Sequence, residues 1–338
     1  MDSAIQLCLP YLSNCENSVL CLDENTLGSF SSFPNRCQII SNRFDVANAV
    51  AGCQFSDWQI ITEKLDCLAF RLSKEKAVNH YIINQALASL KPGGHLVFAG
   101  QKNQGIKSYA KSLKKLIGHC DIEKHGLDYL CVAQINSDPE ERLDDQNYAQ
   151  LRPTLEFEGL SLQSKPGQFG WNKLDQGSLL LLDTLRSELI QNPAQRVLDL
   201  GCGYGLLSVG IMLQQNVNYL CASDNNAAAI SSCQANLGKI QQSSQFAFQF
   251  DVIADDCAQN IDQIFDTVIC NPPFHQGFDV ENQLTDRFLS SAKSHLSTGG
   301  RAYFVVNSFI GIEKKAQAHF KTIDCLANNK QFKILRFQ

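Results

Sequence analysis

The sequence predicts an α/β protein with two tandem doubly wound sheets, each mostly parallel, and three observations carry this prediction. Short apolar runs typical of buried strands alternate along the chain with helical segments. A helix end, a Gly-Gly pair and an apolar strand follow one another twice in the same register, at residues 90–99 and 296–305. With 338 residues the chain is also long for a single hydrophobic core, which favours two domains.

Composition and charge exclude several classes of protein. The chain is 44% hydrophobic and 19% charged, as soluble globular proteins are. It lacks a basic start and any apolar run near the roughly 18 residues of a membrane span, so we expect a cytoplasmic protein with no membrane contact. None of the fourteen cysteines forms a C-x-x-C pair, and several fall in apparent strands, so we expect reduced core thiols and no metal site. Because the net charge is −5, contact with nucleic acid would need a local basic patch.

The first half of the chain is predicted to be a degenerate copy of the second. Residues 65–74 (LDCLAFRLSK) take the position of residues 265–274 (FDTVICNPPF), with Arg71 in the place of Asn271. Asn42 stands where the later copy has Asp224, and the first strand is followed by no glycine triplet. This half is therefore expected to keep a sheet without the parts that bind a ligand. Two unrelated α/β domains with a chance Gly-Gly match are the alternative.

A lysine-rich helix is predicted at residues 101–116. Lys107, Lys111 and Lys114 fall at i, i+4 and i+7, and hence on one side of the helix, which we call the lysine face. This face is either simply solvated or a surface that contacts phosphates.

The polar, acidic stretch that follows reads as a linker, so we predict domains at residues 1–136 and 153–338 with a linker at 137–152. The second domain is expected to open with an antiparallel pair at 154–162 and a loop in which Asp175 caps a helix. Its predicted helices are 176–189, 206–213, 227–237, 255–264, 281–295 and 312–320, and its predicted strands are 197–200, 219–223, 245–250, 267–270, 302–307 and 332–337.

A glycine loop follows the first of these strands, in the sequence RVLDLGCGYG at residues 196–205. Gly201, Gly203 and Gly205 would let the backbone approach a ligand near a helix N-terminus. Asp224 ends the next strand, where a carboxylate accepts hydrogen bonds from ribose hydroxyls. Alone, this loop would fit a dinucleotide-binding enzyme equally well.

The stretch FDTVICNPPFHQG, at residues 265–277, is the most informative segment. It reads as a buried strand that two prolines end abruptly. The side-chain and backbone oxygens of Asn271 would form fixed acceptors there, beside the flat ring of Phe274. Two acceptors and a stacking ring suit a planar group that carries an NH2. Alternatively, the prolines only end a strand and Phe274 belongs to the core.

Together these segments resemble S-adenosylmethionine-dependent amino-group methyltransferases, with residues 199–205 as motif I and 271–274 as motif IV. With the duplicated half, the chain is most similar to the bacterial guanine-N2 methyltransferases of small-subunit (16S) ribosomal RNA. The resemblance implies two class I methyltransferase-like (Rossmann-like) domains, the first degenerate and helping to position RNA. It implies a partner in 16S RNA or the 30S subunit, and we expect a monomer. It implies that S-adenosylmethionine is bound by Asp199, Gly201, Gly203, Gly205, Asp224, Asp251, which would face the adenine, and Asn271.

The same resemblance implies the chemistry. Asn271 and the carbonyl of Pro272 would accept the two N–H groups of guanine N2 and turn its lone pair toward the methyl group. Phe274 would stack on the base, and His275 either accepts a proton, contacts RNA or only holds the loop. Other acceptors remain open: a guanine N2 of 23S RNA, adenine N6, cytosine N4 or a protein glutamine. A non-catalytic RNA-binding assembly factor is the alternative of another class.

Overall fold

The computed structural model describes residues 2–23, 37–60, 64–214, 217–243, 248–273 and 278–338. The chain divides into two compact units, residues 1–150 and 151–338. The division falls within the predicted linker, whose residues Leu143 and Tyr148 contact the first unit: the Leu143 backbone N–H donates to Asn84, and Tyr148 is fully buried and donates its hydroxyl hydrogen to Asp57. Among the described residues, no helix is long and apolar enough to span a bilayer.

The first unit is built on one sheet with the strand order β3-β2-β1-β4-β5-β7-β6. All neighbouring strands are parallel except the pairs that involve β7. Its described helices are α1 (Ser3–Leu12), α2 (Phe44–Ala49), α3 (Lys76–Ser89) and α4 (Ile106–Ile117). Its described strands are β1 (Ser18–Leu22), β2 (Cys37–Ser41), β3 (Cys53–Phe55), β4 (Leu65–Arg71), β5 (Leu90–Gln101), β6 (Asp121–His125) and β7 (Asp128–Ile135).

The second unit repeats this plan in the order β12-β11-β10-β13-β14-β16-β15, preceded by an antiparallel pair, β8 and β9. Its described helices are α5 (Gln176–Gln191), α6 (Leu206–Gln214), α7 (Ala227–Ser243), α8 (Phe278–Ser294) and α9 (Glu313–Ala316). Its described strands are β8 (Arg152–Phe157), β9 (Leu160–Ser164), β10 (Arg196–Leu200), β11 (Tyr219–Asp224), β12 (Gln249–Ala254), β13 (Phe265–Cys270), β14 (Leu296–Asn307), β15 (Ile323–Asn328) and β16 (Phe332–Phe337).

The predicted duplication is confirmed, since both units share one strand order down to matching details. Asp66 in β4 and Asp266 in β13 each accept two backbone N–H groups at the start of the neighbouring strand, at 2.9–3.0 Å. Gly94 and Gly300 have no room for a side chain, because a Cβ would lie 2.9 and 3.0 Å from carbonyl oxygens. Both glycines sit at the same irregularity in strand pairing.

The central strands β10, β11 and β13 of the second sheet are covered on both faces, as the apolar runs predict. Val197 and Leu198 are neighbours in β10 and contribute to the two separate core clusters on opposite faces of the sheet. The carboxyl ends of β10, β11 and β13 therefore meet at one edge of a rigid, doubly covered sheet.

Three predicted elements are wrong in the second unit. Residues 255–264 form a turn and not a helix, because the Asp255 carboxylate accepts the backbone N–H groups of Asp256 and Asn260 at 2.6 and 2.8 Å. The strand predicted at 245–250 does not end at 250 but continues to Ala254, and residues 245–247 of that prediction lie outside the described part of the chain. The helix predicted at 312–320 is only the single turn α9. The edge strand β15 was not predicted, since its side chains are only partly buried and carry no clear alternation.

Candidate active site

The glycine loop adopts a backbone that side chains disfavour. Gly201, Gly203 and Gly205 have φ values of +82°, +55° and +89°, in the region that glycine enters at little cost. A Cβ on Gly205 would lie 2.8 Å from the sulfur of Cys233 in α7, so the loop can lie against that helix only with glycine. A Cβ on Gly203 would meet nothing within 4 Å, which leaves open space on that side of the loop.

Asp224 holds this loop from the end of β11. Its Oδ2 accepts the backbone N–H of Gly203 at 2.9 Å, and its Oδ1 accepts that of Asn226 at 2.8 Å. The carboxylate, predicted from sequence as a ribose acceptor, thus lies beside the glycine loop. Gly203, which follows β10, and Asp224, which ends β11, are 21 positions apart in the chain and are brought together here.

Asp199 is fully buried one strand away. Its Oδ2 accepts the backbone N–H of Ser208 at 3.0 Å and the hydroxyl of the same residue at 2.6 Å. Its Oδ1 has no hydrogen-bond partner among the described residues. Burial raises the pKa of the carboxyl to about 7, while the hydrogen bonds from Ser208 lower it and the charge of Asp224 raises it further.

The loop before α5 packs against the same region. Gln168 donates to the hydroxyl of Ser232 in α7 at 2.7 Å, and Asn226 donates to the carbonyl of Gly167 at 3.4 Å. Within the described chain, the Gln168 Oε1 and the Tyr204 hydroxyl are buried without a partner. Sequence reasoning missed both residues, although Tyr204 lies inside the glycine loop. Buried polar atoms without partners are rare in native proteins, so these mark a place where a polar ligand can bind.

Asn271 lies at the carboxyl end of β13 and is tied to the start of α5. Its side-chain nitrogen donates to Asp175 Oδ2 at 2.8 Å and lies 2.9 Å from Ser178 Oγ. Asp175 is also the N-cap of α5, as its position in the sequence predicts. A small cleft opens at this point, lined by Asp175, Asn271, Pro272, Val305, Val306, Asn307 and Phe332. Phe274 and His275, which sequence analysis assigned to this site, lie outside the described residues.

The predicted position of Asp251 at a strand end is wrong. Because β12 continues to Ala254, Asp251 lies inside the strand and pairs with Cys221, three residues before the edge where Asp224 sits. Its carboxylate accepts the hydroxyl of Tyr219 at 2.6 Å. The acid that follows the end of β12 is Asp255, which sequence analysis missed because it ended the strand too early.

In the first unit, α4 presents the predicted lysine face. Lys107, Lys111 and Lys114 are exposed, whereas Ile106, Tyr109, Ala110 and Leu113 form the buried side of the helix. Lys107 Nζ lies 5.0 Å from the centroid of the Tyr129 ring, within the range of a cation–π contact.

All fourteen cysteines are free, and ten of them are buried. In the parts of the chain that the structure describes, no group of three or more His, Cys, Asp or Glu side chains is placed to hold a metal ion.

Comparison with known proteins identifies the family. The Methyltransferase small domain family matches residues 159–336, and its N-terminal companion domain matches residues 17–140. Ribosomal RNA small subunit methyltransferase C from Pasteurella multocida is 32% identical over 86% of this chain and 84% of its own length. The same enzyme from Shewanella loihica is 30% identical over 85% and 81%.

A solved structure shares the whole fold. It is that of the T. thermophilus 16S rRNA N2 G1207 methyltransferase (RsmC) in complex with AdoMet and guanosine. The two sequences are 22% identical, the alignment covers 100% of this chain and 92% of that protein, and the TM-score is 0.82. The two-unit architecture is therefore that of a known methyltransferase fold. By its sequence, this chain belongs to the ribosomal RNA small subunit methyltransferase C family of Methyltransferase small domain proteins.

Proposed function

We propose that this chain transfers a methyl group from S-adenosylmethionine to the exocyclic N2 amine of a guanine in 16S ribosomal RNA of the small subunit. Family membership and the names of the relatives supply the class of reaction and of substrate. One observation supports an amine as the group that receives the methyl. The side-chain nitrogen of Asn271 is held by hydrogen bonds to the start of α5. Its side-chain oxygen is then left to accept an N–H group from the substrate.

The residues around the glycine loop fit S-adenosylmethionine. Open space beside Gly203 accommodates a ligand close to the backbone, and Asp224 provides a carboxylate for ribose hydroxyls. The unpaired oxygens of Asp199, Tyr204 and Gln168 are polar partners for a charged or hydroxylated ligand. When bound, S-adenosylmethionine supplies the electrophilic methyl group.

Asn271 would act on the acceptor amine by binding and orientation. The lone pair of guanine N2 is delocalised into the ring, so the amine is a weak nucleophile. Oxygens of Asn271 and Pro272 that accept its two N–H groups would turn the lone pair out of conjugation. They would also stabilise the positive charge that develops on nitrogen. For Phe274 we propose stacking on the base, and for His275 a contact with RNA.

The lysine face is proposed to contact RNA phosphates. A chain with a net charge of −5 needs a local cluster of cations for this contact. The three lysines are exposed on one side of a helix whose other side is anchored in the core. We propose further that the protein acts as a monomer in the cytoplasm on 16S RNA or the 30S subunit.

Replacing Asn271 with alanine tests the proposal. Single-turnover methylation of 16S RNA and of 30S particles should slow by about a hundredfold, the scale of losing one preorganised hydrogen-bonding group at a reacting centre. Cofactor affinity should change little, because Asn271 would contact the cofactor only near its methyl group, and the circular dichroism spectrum should be unchanged. The product nucleoside, identified by mass, should be N2-methylguanosine. Near wild-type rates in Asn271→Ala would remove the positioning mechanism. If the wild type instead methylates adenine, cytosine or glutamine, the substrate group is not guanine N2. If it methylates no RNA at all, the result favours a non-catalytic assembly factor.

A further inference from the structure

One carboxylate oxygen of Asp175 joins the start of α5 to the end of β13. Oδ2 accepts the backbone N–H of Ser178 at 2.7 Å, which caps the helix, and also the side-chain N–H of Asn271 at 2.8 Å. The hydroxyl of Ser178, which is only 5% exposed, lies 2.9 Å from the same amide nitrogen. Both hydrogens of the Asn271 amide therefore have acceptors on the first turn of α5.

These contacts permit only one orientation of the amide. An asparagine amide can turn by half a rotation, which exchanges its oxygen and its nitrogen at little cost in shape. An ionised carboxylate only accepts hydrogen bonds. In the turned orientation the amide oxygen would lie near 2.8 Å from an Asp175 oxygen, with no hydrogen between them. Asp175 thus keeps the nitrogen of Asn271 on the helix side and leaves its oxygen as the acceptor for substrate.

The first unit has an aspartate at the equivalent position, and it contacts a different residue at the strand end. Asp2 caps α1 through two backbone N–H groups at 3.0 and 3.2 Å, and accepts Nε of Arg71, at the end of β4, at 3.0 Å. By the shared strand order, these positions correspond to Asp175, α5 and Asn271. The link from helix cap to strand end is thus common to both units. A guanidinium has only donors, however, so the Arg71 side chain offers no acceptor in the place of the Asn271 oxygen.

We propose that Asp175 is a positioning residue for methyl transfer, an inference that rests on the proposed function. It fixes the Asn271 amide with its oxygen toward the substrate amine, and so makes the site selective for a group that donates hydrogen bonds. Without it, the amide can turn so that its oxygen accepts the hydroxyl hydrogen of Ser178, and that contact favours the orientation that cannot accept the amine. Loss of Asp175 should therefore slow methyl transfer and leave the binding of cofactor and RNA largely unchanged, because neither the cofactor nor the bulk of the RNA contacts Asp175 in this proposal.

Two substitutions separate positioning from helix capping. Asp175→Ser keeps a good N-cap residue but is too short to reach Asn271. Asp175→Asn is the matched control, because its single oxygen can take the place of Oδ2 and accept from both Ser178 and Asn271. We expect kcat to fall roughly tenfold to a hundredfold in Asp175→Ser and to stay within about threefold of wild type in Asp175→Asn. The KM for RNA, the cofactor Kd and the melting temperature of Asp175→Ser should remain near wild-type values.

A spectroscopic measurement tests the orientation without turnover. With 15N-asparagine labelling, the side-chain amide signals of Asn271 are identified by their loss in Asn271→Ala. In the wild type and in Asp175→Asn, we expect sharp signals with chemical shifts that differ from those of solvent-exposed asparagine amides. In Asp175→Ser, we expect the signals to broaden or to move toward the chemical shifts of solvent-exposed amides. Unchanged signals and an unchanged kcat in Asp175→Ser would overturn the inference. So would equal losses of kcat in the serine and asparagine variants. If instead the wild type forms no N2-methylguanosine, the proposed function fails, whereas the amide signals still report whether Asp175 orients Asn271.

Discussion

Replacing Asp199 by asparagine should change how the stability of the second unit depends on pH. The side chain is fully buried, and burial raises the pKa of the carboxyl from its ordinary value of 3.8 to about 7. At roughly 1.4 kcal/mol for each pH unit, this difference corresponds to about 4 kcal/mol of unfolding free energy. Asparagine has the same shape, keeps an oxygen for the two Ser208 donors and does not ionise.

The sign follows from which state loses the proton first. Below about pH 4 the carboxyl is protonated in both the folded and the unfolded chain, and its contribution to stability is fully present. As the pH rises, the unfolded chain ionises first, so wild-type stability falls until the folded carboxyl also ionises, near pH 7. Relative to Asp199→Asn, the wild type should therefore lose stability progressively between about pH 4 and pH 7 and then level off.

Urea unfolding at several pH values measures this difference. The chain has two tryptophans, Trp58 in the first unit and Trp171 in the second, so a Trp58→Phe background makes fluorescence report on the second unit alone. A difference between wild type and Asp199→Asn that is the same at every pH would refute the reasoning.

Three further predictions follow from the site and the lysine face. Asp224→Ala should weaken S-adenosylmethionine binding by about 1–3 kcal/mol in calorimetry, and unchanged affinity would mean that the ribose is held elsewhere. Alanine at all three positions of the lysine face should lower the slope of RNA affinity against salt by about one unit per lost contact, with cofactor affinity unchanged. Wild-type RNA affinity at every salt concentration would identify a merely solvated face. Gly205→Ala should destabilise the second unit by about 2 kcal/mol or more, since it combines a φ of +89° with a contact to the Cys233 sulfur. Gly203→Ala, which faces open space, should cost less, and equal losses would contradict the packing argument.

The fold class, the duplication and much of the site could be predicted from local patterns in the sequence. Buried parallel strands need continuous apolar runs, and positive φ values need glycine, so β10, β13 and the glycine loop are visible in local patterns. Because parallel strands end at one edge of a sheet, the same patterns predicted that Asp224 and the glycine loop lie together. The repeated Gly-Gly segments predicted that the first half is a copy of the second, and the two sheets share one strand order.

Features that depend on contacts between distant residues could not be predicted from local patterns. The local pattern ended β12 too early, since pairing with β11 extends that strand to Ala254 and leaves Asp251 inside it. Asp175 looked from sequence like a helix cap, and only the packing of α5 on β14 and β16 of the sheet brings it to Asn271, 96 residues away. The amide orientation arises from that contact, because hydrogen-bond complementarity is a property of two side chains and not of either alone.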